Sequence, residues 1–359
     1  MISTLARGVR LAACGGILAG GAVAAGALLE ARSPIQRALE VPVDGGGLRV
    51  LHISDIHMWR GSAWEVEWLR SLAELEPDLV VATGDNLCEP EGFPLLKRAL
   101  APLRGIPGVF VFGSNDYYSG VFSTPLRYIP QALRKISRAA GYTIGAPRAP
   151  RRVRTVPDLP HREMHAFLSG RLGWTDVRNG GVVLDITPRY GLPVTHTASR
   201  ESVRVAFAGL DDPHINYDAE VSTPAGWEGA DLRVGVVHAP YARALDDLVA
   251  AGSDIVFAGH THGGQICLPV ARALVNNCDA PLWASGGLVR WQVGAVAEPR
   301  PNAYHGIVRP LRDHSGSTGR EAWLHVSRGL GTSKYAPFRL FCRPETTVLS
   351  LADRDEPRV

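Results

Sequence analysis

Close cysteine pairs are missing from this sequence. Cys14, Cys88, Cys267, Cys278 and Cys342 are scattered along 359 residues without a CxxC unit. Four of them sit in or beside apolar runs, where small buried thiols are ordinary. A disulfide framework is therefore not expected, an isolated bond being the most such spacing allows. Gly-x-x-x-x-Gly-Lys is absent, which argues against a P-loop nucleotide site, and no GxSxG elbow is present to support a serine nucleophile. Long blocks of one charge are lacking too. The 38 basic and 35 acidic residues leave a net charge of only +3, and the basic ones are almost all scattered Arg. No nucleic-acid groove is expected from that pattern, and the chain shows no convincing internal repeat.

The opening of the chain is apolar. Leu11 to Leu29 contains only Leu, Ala, Cys, Gly, Ile and Val, with Arg7 and Arg10 before it and Glu30 after it. As a helix such a run extends about 28 Å, close to the thickness of a bilayer core. Residues 1–32 are therefore expected to be a single-pass membrane anchor. A cleaved signal segment and a buried helix are the alternatives; the exit lacks a clean small-x-small cleavage site. Arg7 and Arg10 favour a cytoplasmic N-terminus and an extracytoplasmic domain at the cell membrane, while Arg32 and Arg37 pull partly the other way. Signal cleavage would instead give a secreted protein.

Residues 33–47 read as a connector ending in a turn, and residues 48–359 as one layered α/β domain, within the size such domains reach. Short, almost wholly apolar runs predict strands at Leu48 to Ile53, Leu79 to Thr83, Val109 to Phe112, Val203 to Ala208, Leu232 to Val237 and Ile255 to Ala258. Trp323 to Val326 and Thr347 to Leu351 suggest late strands. Intervening helices are expected over Ser62 to Leu75, Phe93 to Leu100, Ile129 to Ala140 and Ala242 to Ala250. Two stretches, 145–162 and 279–317, are rich in turn residues and read as irregular insertions.

Polar residues follow the strands directly. Asp55-Ile56-His57 comes after the first, Gly84-Asp85-Asn86 after the second and Gly113-Ser114-Asn115-Asp116 after the third. His238 follows the fifth, and Gly259-His260-Thr261-His262-Gly263-Gly264 the sixth. Apolar strands covered on both faces bring such residues to one sheet edge, where open α/β folds place ligands. A DxH alone is weak evidence. Added to a carboxylate able to bridge two ions and an HxH pair, it points to a two-metal site.

In order and placement these motifs resemble the calcineurin-like metallophosphoesterase superfamily. His260 to Gln265, Gly209 to Pro213, Ser327 to Gly331 and Cys342 to Glu345 look like its bacterial membrane-associated YkuE/YaeI-type branch. The resemblance implies a four-layer α-β-β-α sandwich with two mixed sheets. It also implies a phosphoric ester hydrolase using two divalent or transition ions; the His, Asp and Asn donors suit Mn, Fe or Zn. Asp55, His57 and His262 would hold one ion, Asp85 would bridge, and Asn115, His238 and His260 would hold the other.

One departure matters. The family's third motif is usually Gly-Asn-His-Asp or Gly-Asn-His-Glu, and here it is Gly113-Ser114-Asn115-Asp116. Registration on Gly113 makes Ser114 the ligand, whereas a one-residue loop shift makes Asn115 the ligand; the shift is preferred because an amide carbonyl is the better neutral oxygen ligand, with Ser114 the alternative. Either way the usual catalytic His is missing. Asp116 is the candidate proton donor, with a backbone-binding role as its alternative. Tyr117, Tyr118, Asp211, Asp212 and His214 are candidates for substrate contact or for support of the ligands. Arg328 and Arg343 are read as phosphate contacts or internal ion-pair partners, and Cys267 as structural. The expected substrate is a phosphodiester of the envelope or a lipid-linked phosphate. A phosphomonoesterase or pyrophosphatase is the near alternative, and a catalytically idle, metal-stabilised membrane interaction protein the distant one.

Overall fold

Alternation within the strands decides how the layers stack. In β2 (Leu48–Ile53), Leu48 and Val50 face the same interior as Leu79 and Val81 of β3 (Leu79–Ala82), while Leu51 and Ile53 face a separate cluster with Val80 and Ala82. A strand apolar on both sides must be covered on both sides. The computed structural model describes residues 20–120, 156–188, 201–269, 272–295 and 319–353.

Two six-stranded mixed sheets carry this pattern. The first joins β1 (Ile35–Pro42), β14 (Glu345–Ala352), β2, β3, β4 (Gly108–Phe110) and β5 (Thr175–Asp176) in that order; β1 runs parallel to β14, and β14 antiparallel to β2. The second has the order β12 (Gly287–Gln292), β13 (Glu321–Val326), β9 (Ile255–Ala258), β8 (Leu232–Val236), β7 (Val203–Gly209), β6 (Gly180–Ile186), antiparallel at its two edges and parallel within. Valines, leucines, Phe207 and Phe257 fill the space between the sheets. The helices Glu65–Ser71, Phe93–Leu100 and His161–Ala166 contribute to the core outside the first sheet, and Ala242–Ala250 to the core outside the second. The architecture is the expected α-β-β-α sandwich.

Several expectations change. Residues 33–47 are more than a connector: they contain β1, an edge strand whose only partner among the described residues lies some three hundred residues later, so no local signal marks it. The stretch 279–317 contains β12 at the other sheet's edge, concealed by its glycine-rich flanks. The helix expected over Ser62 to Leu75 is an α-helix with a 3-10 turn at each end. The expected helix at Ile129 to Ala140, residues 145–155 and residues 296–317 lie outside the described residues. Of the apolar opening run, residues 20–29 are described and belong to a helix over 20–31. Among the described residues no helix is long and apolar enough to cross a membrane.

Candidate metal centre

The ends of β2, β3, β8 and β9 open onto one buried polar site. Each chain turn there is sharp: Asp55, His57, Asp85, His260 and His262 have φ between 49° and 69°. Left-handed backbone at non-glycine residues costs on the order of 1 to 3 kcal/mol each and persists only where the surroundings impose it. Here the turns are tied to one another. Asp55 N donates to Gly84 O at 2.8 Å, His57 N to Asp85 O at 3.0 Å and Met58 N to Asn86 O at 2.9 Å, so the first two loops continue the parallel pairing beyond the strands. His260 N donates to the Asp55 carboxylate at 3.0 Å, which joins the two sheets. A Cβ on Gly113 would overlap Asp85 Oδ1 and the ring of His238, so only glycine permits this approach.

Two ligand groups result. Donor atoms of Asp55, His57 and His262 lie within 4.8 Å of one another, as do those of Asp85, His238 and His260. His57 Nε2 is 2.9 Å from His262 Nε2, and His238 Nε2 is 3.2 Å from His260 Nδ1. Asp85 stands between the groups, its Oδ2 3.5 Å from His57 Nε2 and its Oδ1 3.4 Å from His238 Nε2. Unprotonated imidazole nitrogens so close together, in a buried site, suit a cation between them. The electrostatics agree. Burial works against charge on His57, yet Cys88, Asp85 and Asp55 raise its pKa to about 9. His238 is likewise raised despite burial, through Asp85 and Asp212. His262 and His260 are lowered, first by burial and then by neighbouring histidines. Asp85, although buried, is held well below the usual carboxylate range by His238, His57 and His260. The carboxylates thus favour one positive charge in each group, carried by a proton on His57 or His238 that a bound cation would replace.

Residues behind the donors orient them. His238 Nδ1 lies 2.6 Å from Thr83 O, which leaves its Nε2 facing the site. Arg339, wholly buried, donates to the carbonyls of His262, Arg328, Gly329 and Gly331, and its Nη2 is 3.0 Å from His262 Nδ1. Thr83 Oγ1 meets His52 Nε2 at 2.9 Å, and His52 Nδ1 meets His325 Nδ1 at 2.7 Å across the sandwich. None of Thr83, Arg339, His52 or His325 was singled out from sequence. A fully buried Arg is rare, but its burial depends on long-range packing that no local pattern reports.

The remaining candidates divide. Asn115 enters the site: its backbone N donates to Asp85 Oδ1 at 2.7 Å and its Nδ2 to Asp85 Oδ2 at 2.8 Å. Ser114 begins the short helix Ser114–Tyr117 and is buried. The Asp116 carboxylate accepts the backbone N–H groups of Gly113, Asp85 and Asn86, each at 2.8 Å, and the Asn86 side chain at 3.1 Å. That geometry is the backbone-binding alternative, although burial raises its pKa to about 6. Tyr117 donates to Asp211 at 2.7 Å and accepts from Arg178 at 2.6 Å, which makes an internal network. Tyr118 pairs with the Tyr217 hydroxyl. The His214 ring stands 4.3 Å from that of His260, with Nδ1 3.0 Å from the Tyr241 hydroxyl. Asp212 caps the following turn through His214 N and keeps a buried Oδ2 without a hydrogen-bond partner among the described residues; burial pushes its pKa to about 8. Arg328 lies 3.9 Å from Glu345, Arg343 donates to Ser33 O, and Cys267 donates to Gly263 O at 3.2 Å.

Residues 48–264 match the sequence profile of the calcineurin-like phosphoesterases. The chain belongs to that family. Among calcineurin-like phosphoesterases it is similar to the Bacillus subtilis metallophosphoesterase YkuE, with 21% identity over 94% of each chain. It is also similar to the Chlamydia trachomatis UDP-2,3-diacylglucosamine pyrophosphatase LpxG, with 26% identity over 62% of this chain and 66% of that one. A solved structure, TT1561 of Thermus thermophilus, aligns over 60% of this chain and 82% of its own at 14% identity and a TM-score of 0.29. Calcineurin-like phosphoesterases are metal-dependent phosphoric ester hydrolases, and the two ligand groups span the matched residues.

Proposed function

We propose that this calcineurin-like phosphoesterase is a two-metal phosphodiesterase acting on an envelope or lipid-linked phosphate, anchored at the cell membrane with its domain on the extracytoplasmic side. The observation that carries the metal assignment is the position of Asp85, with one carboxylate oxygen facing each ligand group. Two bound cations would supply Lewis-acid stabilisation for charge developing on phosphorus. Asp55, His57 and His262 would hold one of them; Asp85, His238, His260 and the Asn115 amide would hold the other. Thr83 O and Arg339 keep the imidazoles aimed inward; Asp55, His57, Asp85, His238 and His260 are buried, while His262 and Asn115 are partly exposed.

The usual catalytic His has no counterpart in this motif, and Asp116 is engaged by backbone amides. Esters whose leaving group needs little protonation are therefore the favoured substrates. A second reading, cleavage of a diphosphate bond in a lipid-linked nucleotide, is supported by the likeness to LpxG.

The test is metal content and turnover of the full chain in detergent, with bis-p-nitrophenyl phosphate, p-nitrophenyl phosphate and a lipid-linked nucleoside diphosphate as substrates. About two ions per chain, diester or diphosphate turnover, and loss of both in Asp85→Asn and His262→Ala are expected. Turnover of the monoester alone would overturn the diester reading, and a failure to bind metal would overturn the centre itself.

A further inference from the structure

Six of the nine large exposed apolar side chains among the described residues lie on or beside segments that join the helix over 20–31 to the chain after His262. That helix is pinned at its end: Arg339 N donates to Ala27 O at 3.0 Å, and the Glu30 carboxylate accepts Phe341 N and Cys342 N at 2.9 and 2.5 Å. The same segment pairs with the chain that follows His262, through Leu340 N to Gln265 O and Cys267 N to Leu340 O, both at 2.9 Å. There β10 (Cys267–Leu268) pairs with β11 (Arg272–Ala273) in a short antiparallel hairpin, and Leu282 packs on the small core of Cys267, Ala273 and Cys342. Around this core Leu28, Leu29, Leu268, Leu274, Trp283 and Phe341 are 44 to 69% exposed.

An exposed patch of this kind on a folded domain calls for an apolar partner. What adjoins it identifies the partner. The apolar run beginning at Leu11 ends in this helix, at Leu29, and Arg32 and the exposed Arg343 lie immediately beyond. Apolar side chains and a tryptophan, with arginines adjoining them in the chain, match the acyl chains, interface and anionic head groups of a bilayer.

We propose that this rim of six side chains inserts into the lipid surface at the base of the N-terminal segment. Because Glu30 clamps the helix end to Phe341 and Cys342, the rim and the helix meet the bilayer as one rigid unit. Arg339 and Cys342 bond the carbonyl of His262 from the same segment, which holds the metal centre beside the membrane surface and within reach of a lipid-borne phosphate. The choice of substrate rests on the enzyme proposed above; the insertion rests only on the membrane anchor proposed with it.

The experiment uses the full chain in vesicles of phosphatidylcholine and phosphatidylglycerol, with or without phosphatidylcholine brominated near the head-group end of its acyl chains. Tryptophan emission of the parent minus that of Trp283→Phe isolates the Trp283 signal. Insertion requires that this component be quenched by the brominated lipid, and that Leu268→Ser with Phe341→Ser reduce the quenching. An unquenched Trp283 component would overturn the rim, as would a concentration-dependent dimer in detergent that Trp283→Ser and Phe341→Ser dissociate. Turnover of bis-p-nitrophenyl phosphate, measured in every variant, separates the two ideas. Retained turnover without quenching removes the rim alone, and absent turnover in the parent removes the proposed enzyme.

Discussion

The space between the two sheets and the loops at one end of those sheets are made by the same strands, yet they follow opposite rules. Between the sheets the chain is extended, regular and apolar, with Val50, Val81, Phe207, Val234 and Phe257 in contact from both sides. Two to four residues beyond the strand ends it turns into left-handed backbone at Asp55, His57, Asp85 and His260, and buries them together with His238. The first region gains free energy by removing apolar surface from water. The second consumes some of it, through backbone strain and desolvated charge. A stiff sandwich is what allows a strained, charged edge to keep its geometry.

If that division holds, damage to each region should appear in a different measurement. The largest effect is expected from Asp85→Asn. Its carboxylate faces both ligand groups, so turnover should fall at least about 1,000-fold, more than a single transition-state donor typically contributes. Metal content should fall with it while the thermal midpoint hardly moves. A variant that kept two ions and near-parental turnover would break the assignment of the edge as the reactive region.

Phe207→Ala tests the other side. Phe207 is fully buried between the sheets, and truncating such a residue costs about 3 to 5 kcal/mol of stability. Denaturant unfolding should show that loss, while metal stoichiometry below the transition stays at the parental value. Loss of metal in the still folded variant would mean that the two regions are not separable. Gly113→Ala lies at their boundary. Its Cβ would collide with Asp85 and His238, so metal affinity should weaken about 10 to 100-fold, the range for displaced ligand support, with little change in unfolding. Titration calorimetry with Mn would measure it.

The same division explains how much the sequence discloses. β2, β9 and the helices Phe93–Leu100 and Ala242–Ala250 begin and end where periodicity places them, because each signal is local. β1 and β12 escape, since an edge strand is half solvent-facing and its partner is remote in sequence or hidden behind turn-rich chain. In the site, the donors are legible because each follows an apolar run by one to four residues. Arg339 and the His52 and His325 pair are not, because their roles come from packing between segments that lie far apart. In the third motif Asn115 is preferred to Ser114 on ligand chemistry, and the loop brings the Asn115 side-chain nitrogen to Asp85.

The smallest expected effect concerns the pair of histidines that intrudes on the apolar interior. Burial lowers the pKa of His52, with His325 adding to it, and burial takes His325 to about 3. Both rings are neutral in the folded protein and linked by one hydrogen bond. On unfolding each returns to an ordinary value near 6.5, so between about pH 3 and pH 6.5 the unfolded chain binds more protons than the folded one. Stability therefore rises with pH through this window and is lost as the pH falls below 6.5, by up to about 1.4 kcal/mol per pH unit for each group. His325→Gln keeps an amide able to meet His52 and removes one titrating ring. Its unfolding free energy should consequently fall less steeply than the parent's between pH 7 and pH 5, by about 1 to 2 kcal/mol over the interval. The ligand histidines titrate in both proteins, so the difference between the two slopes reports His325 and its partner. Equal slopes would mean that the acid sensitivity of the fold resides in the metal edge, and that the sandwich interior tolerates its two imidazoles without a pH-dependent cost.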